Sequence, residues 1–406
     1  MGGFNFCTIF AESLIKGLLT SVRMNMKWIF FAFFMLFCGS AVAQSDDSEQ
    51  DTTRTARVSY VPKIDGAVKV KLEVDLQDAA YRFNVRNSRF GVRGNVSKSM
   101  YYRIQVDFNN EGKISILDSY VGYTIGGFDA KLGQQQYHFS TDLDRGPTTN
   151  MFANRSFLAK YLTSYYGSEV SDGKIVSYVK TLGSRDLGLS MSYRFKTDVP
   201  LNLIAGVFNG SGTNNPEWGK RVNLMGRIEL GGDKGLQGSV AYYHGYSPQH
   251  VKVEEQNGTF VTEDFEQKLR MVGGELRYTR GGLLLEGEYA RRYLCMEGAT
   301  AMMATALVQG YYRFQLPKCP TIDYIAPIAR WDMGNNVDYL NVQNKLRETF
   351  EANRITVGVN IGFGTKWIQS EIRLNYEKYL LKEQPSDFWG NKLLHDKFTL
   401  EVVASF

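Results

Sequence analysis

Four histidines, His138, His244, His250 and His395, are the whole imidazole complement of the 406 residues. A serine or carboxylate beside one of them could form a hydrolytic dyad, yet the chain has no G-x-S-x-G and no H-E-x-x-H run. All four read as lying in or beside extracellular loops, so the chain reads as no enzyme, without catalytic residue or cofactor. Asp142, Asp144 and Gly146 suggest the start of a calcium loop, but Arg145 follows Asp144 directly and the ligand spacing fails, so no metal is expected there. The chemistry that remains is fixed charge. Twelve cations recur on the polar side of alternating segments: Lys69, Lys71, Arg93, Arg103, Lys131, Arg194, Arg227, Arg277, Arg292, Arg313, Arg330 and Arg373. Twelve carboxylates, Glu73, Asp107, Asp118, Glu286, Asp332 and Glu401 among them, share those faces. The sums cancel, so any ion preference must come from placement.

The elements that could position such charges follow from composition and periodicity. The longest apolar run, Trp28 to Cys38, has 11 residues, and a membrane-spanning helix needs about 20. The surplus of 25 Phe and 24 Tyr over 9 Pro favours strands. Met26-Lys27, the apolar run and Gly39-Ser-Ala-Val-Ala43 read as a signal peptide cleaved before Gln44, with Met24 or Met26 as alternative starts. Phe37 is too bulky for a lipobox before Cys38. The leader, residues 1 to 43, removes Lys16, Arg23 and Lys27 against Glu12, leaving +3 of the chain's +5. That is too weak to suggest nucleic acid as a partner. Residues 45 to 60 carry Asp46, Asp47, Glu49 and Asp51 with almost no apolar residue, so 44 to 63 read as a flexible periplasmic segment.

From Ile64 to Phe406 the texture is strict alternation. Val68, Val70, Leu72 and Val74 interleave with Lys69, Lys71, Glu73 and Asp75, a period of two that only a strand presents as one greasy and one charged face. Similar runs begin near Tyr102, Leu187, Leu224, Leu283, Val308 and Ile355. Tight connections at 97–99, 126–127, 197–200, 231–234, 280–282, 317–323 and 364 alternate with connections at 76–88, 110–113, 138–184, 209–221, 247–267, 294–305, 333–352 and 380–394. Seven turns and eight loops imply an all-β, 16-stranded antiparallel transmembrane β-barrel with long extracellular loops and short periplasmic turns. Ile175 to Lys180 could be an extra element inside the third loop. Cys295 and Cys319, which remain after the leader, flank the twelfth strand; they should lie too far apart for a disulfide.

A soluble sandwich also alternates, with its apolar side in a packed core. Against it stand the repeated charges on the other face, tyrosines near strand ends, and a terminal strand that sets Phe398, Leu400, Val402, Ala404 and Phe406 on one side.

Several segments resemble the phosphate-selective porin O and P family: Ser88-Arg-Phe-Gly-Val-Arg-Gly94, Tyr102-Arg-Ile-Gln-Val-Asp-Phe108, Asp118-Ser-Tyr-Val-Gly-Tyr123, Lys131-Leu-Gly-Gln-Gln135, Gly206-Val-Phe-Asn-Gly-Ser-Gly212, Gly274-Glu-Leu-Arg-Tyr278 and Pro327-Ile-Ala-Arg-Trp-Asp332. The resemblance implies a 16-stranded, commonly trimeric porin whose third loop, residues 138 to 184, folds inward to narrow the pore. On that template Arg145 and Arg155 become constriction candidates, with Lys160, Asp142 and Asp144 beside them. The expected function is passive diffusion of small hydrophilic solutes or inorganic anions such as phosphate across a lipid outer membrane. The alternative is a barrel-anchored binding or adhesion protein working through loops 247–267 and 333–352.

Overall fold

The computed structural model describes residues 59–406, apart from 111–112, 147, 172–173, 220, 255–259, 297–298, 345, 365–368 and 386–390. The leader and most of the segment before Ile64 therefore lie outside the described residues. Sixteen antiparallel staves form one closed sheet. In chain order they are β1 (Lys63–Asp75), β2 (Ala80–Val85 continued by Arg89–Asn95), β3 (Met100–Asn110), β4 (Lys113–Ile125), β5 (Phe128–Gln136), β6 (Arg185–Phe195), β7 (Leu201–Phe208) and β8 (Asn223–Leu230). Then follow β9 (Gly235–Glu254), β10 (Phe260–Arg280), β11 (Leu283–Met296), β12 (Ala299–Tyr312 continued by Phe314–Gln315), β13 (Tyr324–Leu340), β14 (Arg347–Gly364), β15 (Gln369–Leu381) and β16 (Lys397–Ser405).

Closure comes from β1 pairing with β16, in register from Ala67 opposite Ser405 to Asp75 opposite Lys397. Gly66 and Phe406 extend that seam with backbone hydrogen bonds of 2.9 and 3.1 Å. An even number of staves returns both ends of the sheet to the short-turn rim, and closure leaves no unpaired edge in hydrocarbon.

The alternation sorts as its chemistry requires. Val68 and Val70 of β1 are exposed on the outer wall, whereas Lys69, Lys71 and Glu73 between them are buried in the bore. Phe398 and Val402 face out on β16, with Thr399 and Glu401 facing in. Outside a lipid-facing wall, exposed apolar groups meet acyl chains and every backbone polar group is already paired within the sheet.

Three expected loops are largely strand. β9 and β10 stay in register as far as Glu254 opposite Phe260, through most of 247–267. β11 pairs with β12 through Met296 opposite Ala299, within 294–305, and β13 and β14 pair through Leu340 opposite Arg347, within 333–352. In β13 and β14 these extensions turn Val337, Tyr339, Phe350 and Ala352 inward, so the polar inner face that marks a stave is lost there although the backbone ladder continues. The extra element foreseen near Ile175–Lys180 is the second arm of a hairpin, Ser164–Ser171 paired with Lys174–Thr181, inside the third connection. Cys295 lies at the loop end of β11 and Cys319 in the turn after β12, and both are free.

Candidate functional site

The third connection turns into the bore directly after β5. His138, with a left-handed φ of 57°, redirects the chain inward. Two short helices follow: α1 (Thr141–Asp144), whose N-cap Ser140 accepts from the Leu143 amide, and α2 (Phe157–Tyr161), capped in the same way by Ser156 on the Ala159 amide. Tyr137, Phe139, Leu143, Leu158, Leu162 and Tyr165 are buried against inward-facing Tyr243, Leu269, Met271, Leu294 and Leu307 of β9 to β12. Phe157 and Tyr161 join a second cluster with Met303, Val337, Phe350 and Ala352. Two apolar, dry patches of the inner wall thus anchor the loop.

Polar groups complete the attachment. Glu275 accepts from the Thr141 amide (3.2 Å) and hydroxyl (2.8 Å), and Glu288 from the Asp142 amide (3.3 Å). Across the bore, Asn375 Oδ1 accepts from the Ala153 amide at 2.7 Å, and Asn360 donates to the Met151 carbonyl at 2.8 Å. Arg330 donates to the Asn154 carbonyl (3.0 Å), Arg354 to that of Arg155 (2.6 Å), and Arg292 to those of Tyr161 and Leu162 (3.0 Å each). Each guanidinium also pairs with a wall carboxylate: Arg330 and Arg354 with Asp332 at 2.7 and 2.8 Å, and Arg292 with Asp338. A buried backbone carbonyl without a donor is costly, so these arginines fix the path of the loop.

The candidates named from sequence fall into three groups. Lys69, Lys71, Arg330 and Arg373 are inward and buried: Lys69 and Arg373 share Glu401 at 3.0 and 2.8 Å, and Lys71 bridges Glu73 at 2.9 Å and Asn154 at 2.8 Å. Arg103, Arg277 and Arg313 are partly exposed: Arg103 pairs with Asp65 (2.9 Å) and Asp118 (3.3 Å), Arg277 with Glu286 (3.4 Å), and Arg313 lies 4.3 Å over the Tyr324 ring. Arg194 stands exposed at the turn end of β6, away from the inner loop.

Within the loop, Arg145 is clamped by Glu286 and by Asp142 at 3.2 Å. Arg155 donates to the carbonyls of Asp142 (3.2 Å) and Leu143 (3.1 Å), tying the two helices together. Burial pushes the Asp142 carboxyl up, but Arg145, Arg330 and the Ser156 hydroxyl outweigh it and hold it below the usual carboxylate range. Asp144 pairs with His138 at 2.9 Å, at the start of the third loop. Lys160 is exposed, its ammonium 4.7 Å over the Tyr161 ring.

Sequence reasoning overlooked Arg89, Arg185 and Arg354, and the apolar patch under the loop. Arg89 shares a face with Arg93 at a spacing of four, so period two could have found it. Arg185 and Arg354 stand one or two residues before strands read as starting at Leu187 and Ile355. The patch had its own signal: Val240-Ala-Tyr-Tyr243 and Leu307-Val308 are apolar on both faces, which one-sided alternation does not allow.

What the loop leaves open is a cavity of about 670 Å³ between its 144–149 stretch and the wall of β1 to β6. Five cations border it, Arg89, Arg93, Arg103, Lys131 and Arg185, against the three carboxylates Asp65, Asp118 and Asp144. A second space of about 350 Å³ lies beside Arg145, Arg277, Gln309 and Tyr311.

Sixteen closed antiparallel staves match known structures. The anion-selective porin from Comamonas acidovorans superposes with a TM-score of 0.55 at 11% identity, over 85% of this chain and 98% of that one. This is the fold of the outer-membrane porins. OmpF of Salmonella typhi, in complex with daunomycin, gives 0.54 at 12% over 85% and 97%. A loop-deletion form of OmpT, an outer membrane protein of Vibrio cholerae, gives 0.54 at 14% over 85% and 99%. No family model matches the chain, and no curated protein matches its sequence. The porin fold is therefore carried here by a sequence with little identity to those of these structures.

Proposed function

We propose that this chain is an outer-membrane porin that lets small hydrophilic solutes diffuse passively, with inorganic anions such as phosphate favoured. The single observation carrying this reading is the cavity beside the inner loop, where five cations outnumber three carboxylates. A narrow, low-dielectric passage amplifies such an excess, lowering the barrier for anions and raising it for cations. Arg145 and Arg155 act mainly by shaping the constriction, since Arg145 is neutralised by Glu286 and Asp142 and Arg155 is engaged by two carbonyls. The lumen-facing Lys69, Lys71, Arg330 and Arg373 hold the loop and wall together in the same way. The leader directs export, and the barrel assembles as a homotrimer, as the resemblance to the O and P family implies.

Planar-bilayer recording of the refolded protein tests the reading. Stepwise conductance supports a pore. A correctly inserted but silent barrel supports the other reading, an anchor for surface binding whose tall β9–β10 and β13–β14 hairpins would meet the ligand.

A further inference from the structure

Where the first stave meets the last, at the loop rim, lies a side-chain constellation that solute passage does not use. Asp75 ends β1, and its Oδ1 accepts the amides of Gln77 (2.9 Å) and Asp78 (3.2 Å), a turn that brings Asp78 back over the strand end. The other oxygen, Oδ2, lies 2.9 Å from Nδ1 of His395, which immediately precedes the corner entering β16. One donor atom from each of Asp75, Asp78 and His395 lies within 4.8 Å of the others. The His395 imidazole is held in place, since the residue is only 8% exposed, while Asp78 is open to solvent.

The surrounding frame is rigid. The Leu76 amide donates to the Asp396 carbonyl at 3.0 Å, and the Asp396 amide to Gln77 Oε1 at 2.9 Å. Neighbouring cations point elsewhere: Lys378 pairs with Asp396 at 2.5 Å, and Lys397 donates to the Leu393 carbonyl at 3.2 Å.

The geometry points to a divalent transition-metal site of the zinc class at this seam, with Asp75, Asp78 and His395 as protein ligands and water completing the shell. Metal–nitrogen and metal–oxygen bonds of about 2.0–2.2 Å put the donors of a tetrahedron roughly 3.3–3.6 Å apart, so the Asp75–His395 pair, at 2.9 Å, needs to open by only about half an ångström. The ion takes the place between Nδ1 and Oδ2, bound through Nδ1 by the neutral imidazole tautomer that carries its one proton on Nε2. Two carboxylates and a neutral imidazole carry the charge that a dication cancels. One nitrogen and few oxygens select a borderline cation over calcium or magnesium, which need six or more oxygens or a largely hydrated shell. A bound ion would tie the first stave to the last from outside the lipid, at the joint the barrel must close.

Titration calorimetry of the full refolded barrel with zinc chloride, together with cobalt absorption, tests the site. One equivalent is expected, weakened at least tenfold by Asp78→Asn and by His395→Gln, with His138→Gln unaffected and no displacement by millimolar calcium. Asp78 is exposed, so its variant keeps the test valid where the histidine variant fails to fold. Absence of zinc and cobalt binding, binding indifferent to Asp78→Asn, or binding that calcium competes away would overturn the site. Pore conductance is a separate readout, so failure here leaves the porin reading standing, and the reverse also holds.

Discussion

Arg354 of β14 donates to the backbone carbonyl of Arg155, 2.6 Å away, while the same guanidinium pairs with Asp332 at 2.8 Å. One wall residue thus holds the inner loop inside the bore. Arg354→Met removes the donor and leaves both the carbonyl and Asp332 without it. A charged hydrogen bond of this kind is worth about 1.5–3 kcal/mol. The expected result is a folded barrel with noisier, larger single-channel steps; steps identical to wild type would show that Arg354 does not restrain the loop.

The apolar anchor makes an independent prediction. Leu158 of α2 is fully buried in the cluster with Leu269 and Leu294, and Leu→Ala at such sites costs about 2–5 kcal/mol. Because the lost contacts belong to the loop, Leu158→Ala should leave the heat-modified gel shift of the barrel intact and make the 137–184 segment sensitive to protease. Protection equal to wild type would mean that the polar ties alone hold it.

Charge placement should set selectivity. Arg93 and Lys131 border the cavity and are the least buried of its cations, with side chains 60% and 23% exposed, so reversing them perturbs folding little. The double variant Arg93→Glu and Lys131→Glu turns five cations against three carboxylates into three against five. In a potassium chloride gradient the zero-current potential should move toward cation preference by tens of millivolts; an unchanged potential would remove the cavity from the selectivity argument.

Gly133 sits in the middle of Lys131–Gln135, with φ of +133°, and a Cβ there would fall 2.3 Å from the Ser119 carbonyl oxygen of the neighbouring stave. Neither the dihedral nor the space suits another residue. Gly133→Ala should lower the yield of folded barrel sharply, whereas Gly226→Ala, with nothing within 4 Å of its added carbon, should assemble normally.

How much of this was legible in sequence depended on where lipid lay. Val68, Val70, Phe398 and Val402 announced their staves because one face met hydrocarbon and the other water. The upper parts of β13 and β14 hid themselves because their inward residues, Val337, Tyr339, Phe350 and Ala352, are apolar where a polar inner face was expected. The bore was half legible: equal numbers of cations and carboxylates left any ion preference to their placement. Their pairing could not be read, because Arg354 and Arg155, or Arg145 and Glu286, meet only once a loop from one wall has crossed to another. The dry patch around Tyr243, Leu269 and Met271 broke the expectation of a polar interior, since those strands must be greasy inside to seat the loop.

On the proposed function, solutes travel through the cavity between the inner loop and β1 to β6. Gln105 lines it, so planar-bilayer recording of Gln105→Cys, with Cys295 and Cys319 replaced by serine, addresses the claim directly. Stepwise conductance that falls when a negatively charged methanethiosulfonate is added is the predicted result; conductance untouched by the reagent after the thiol is shown to be modified would contradict it.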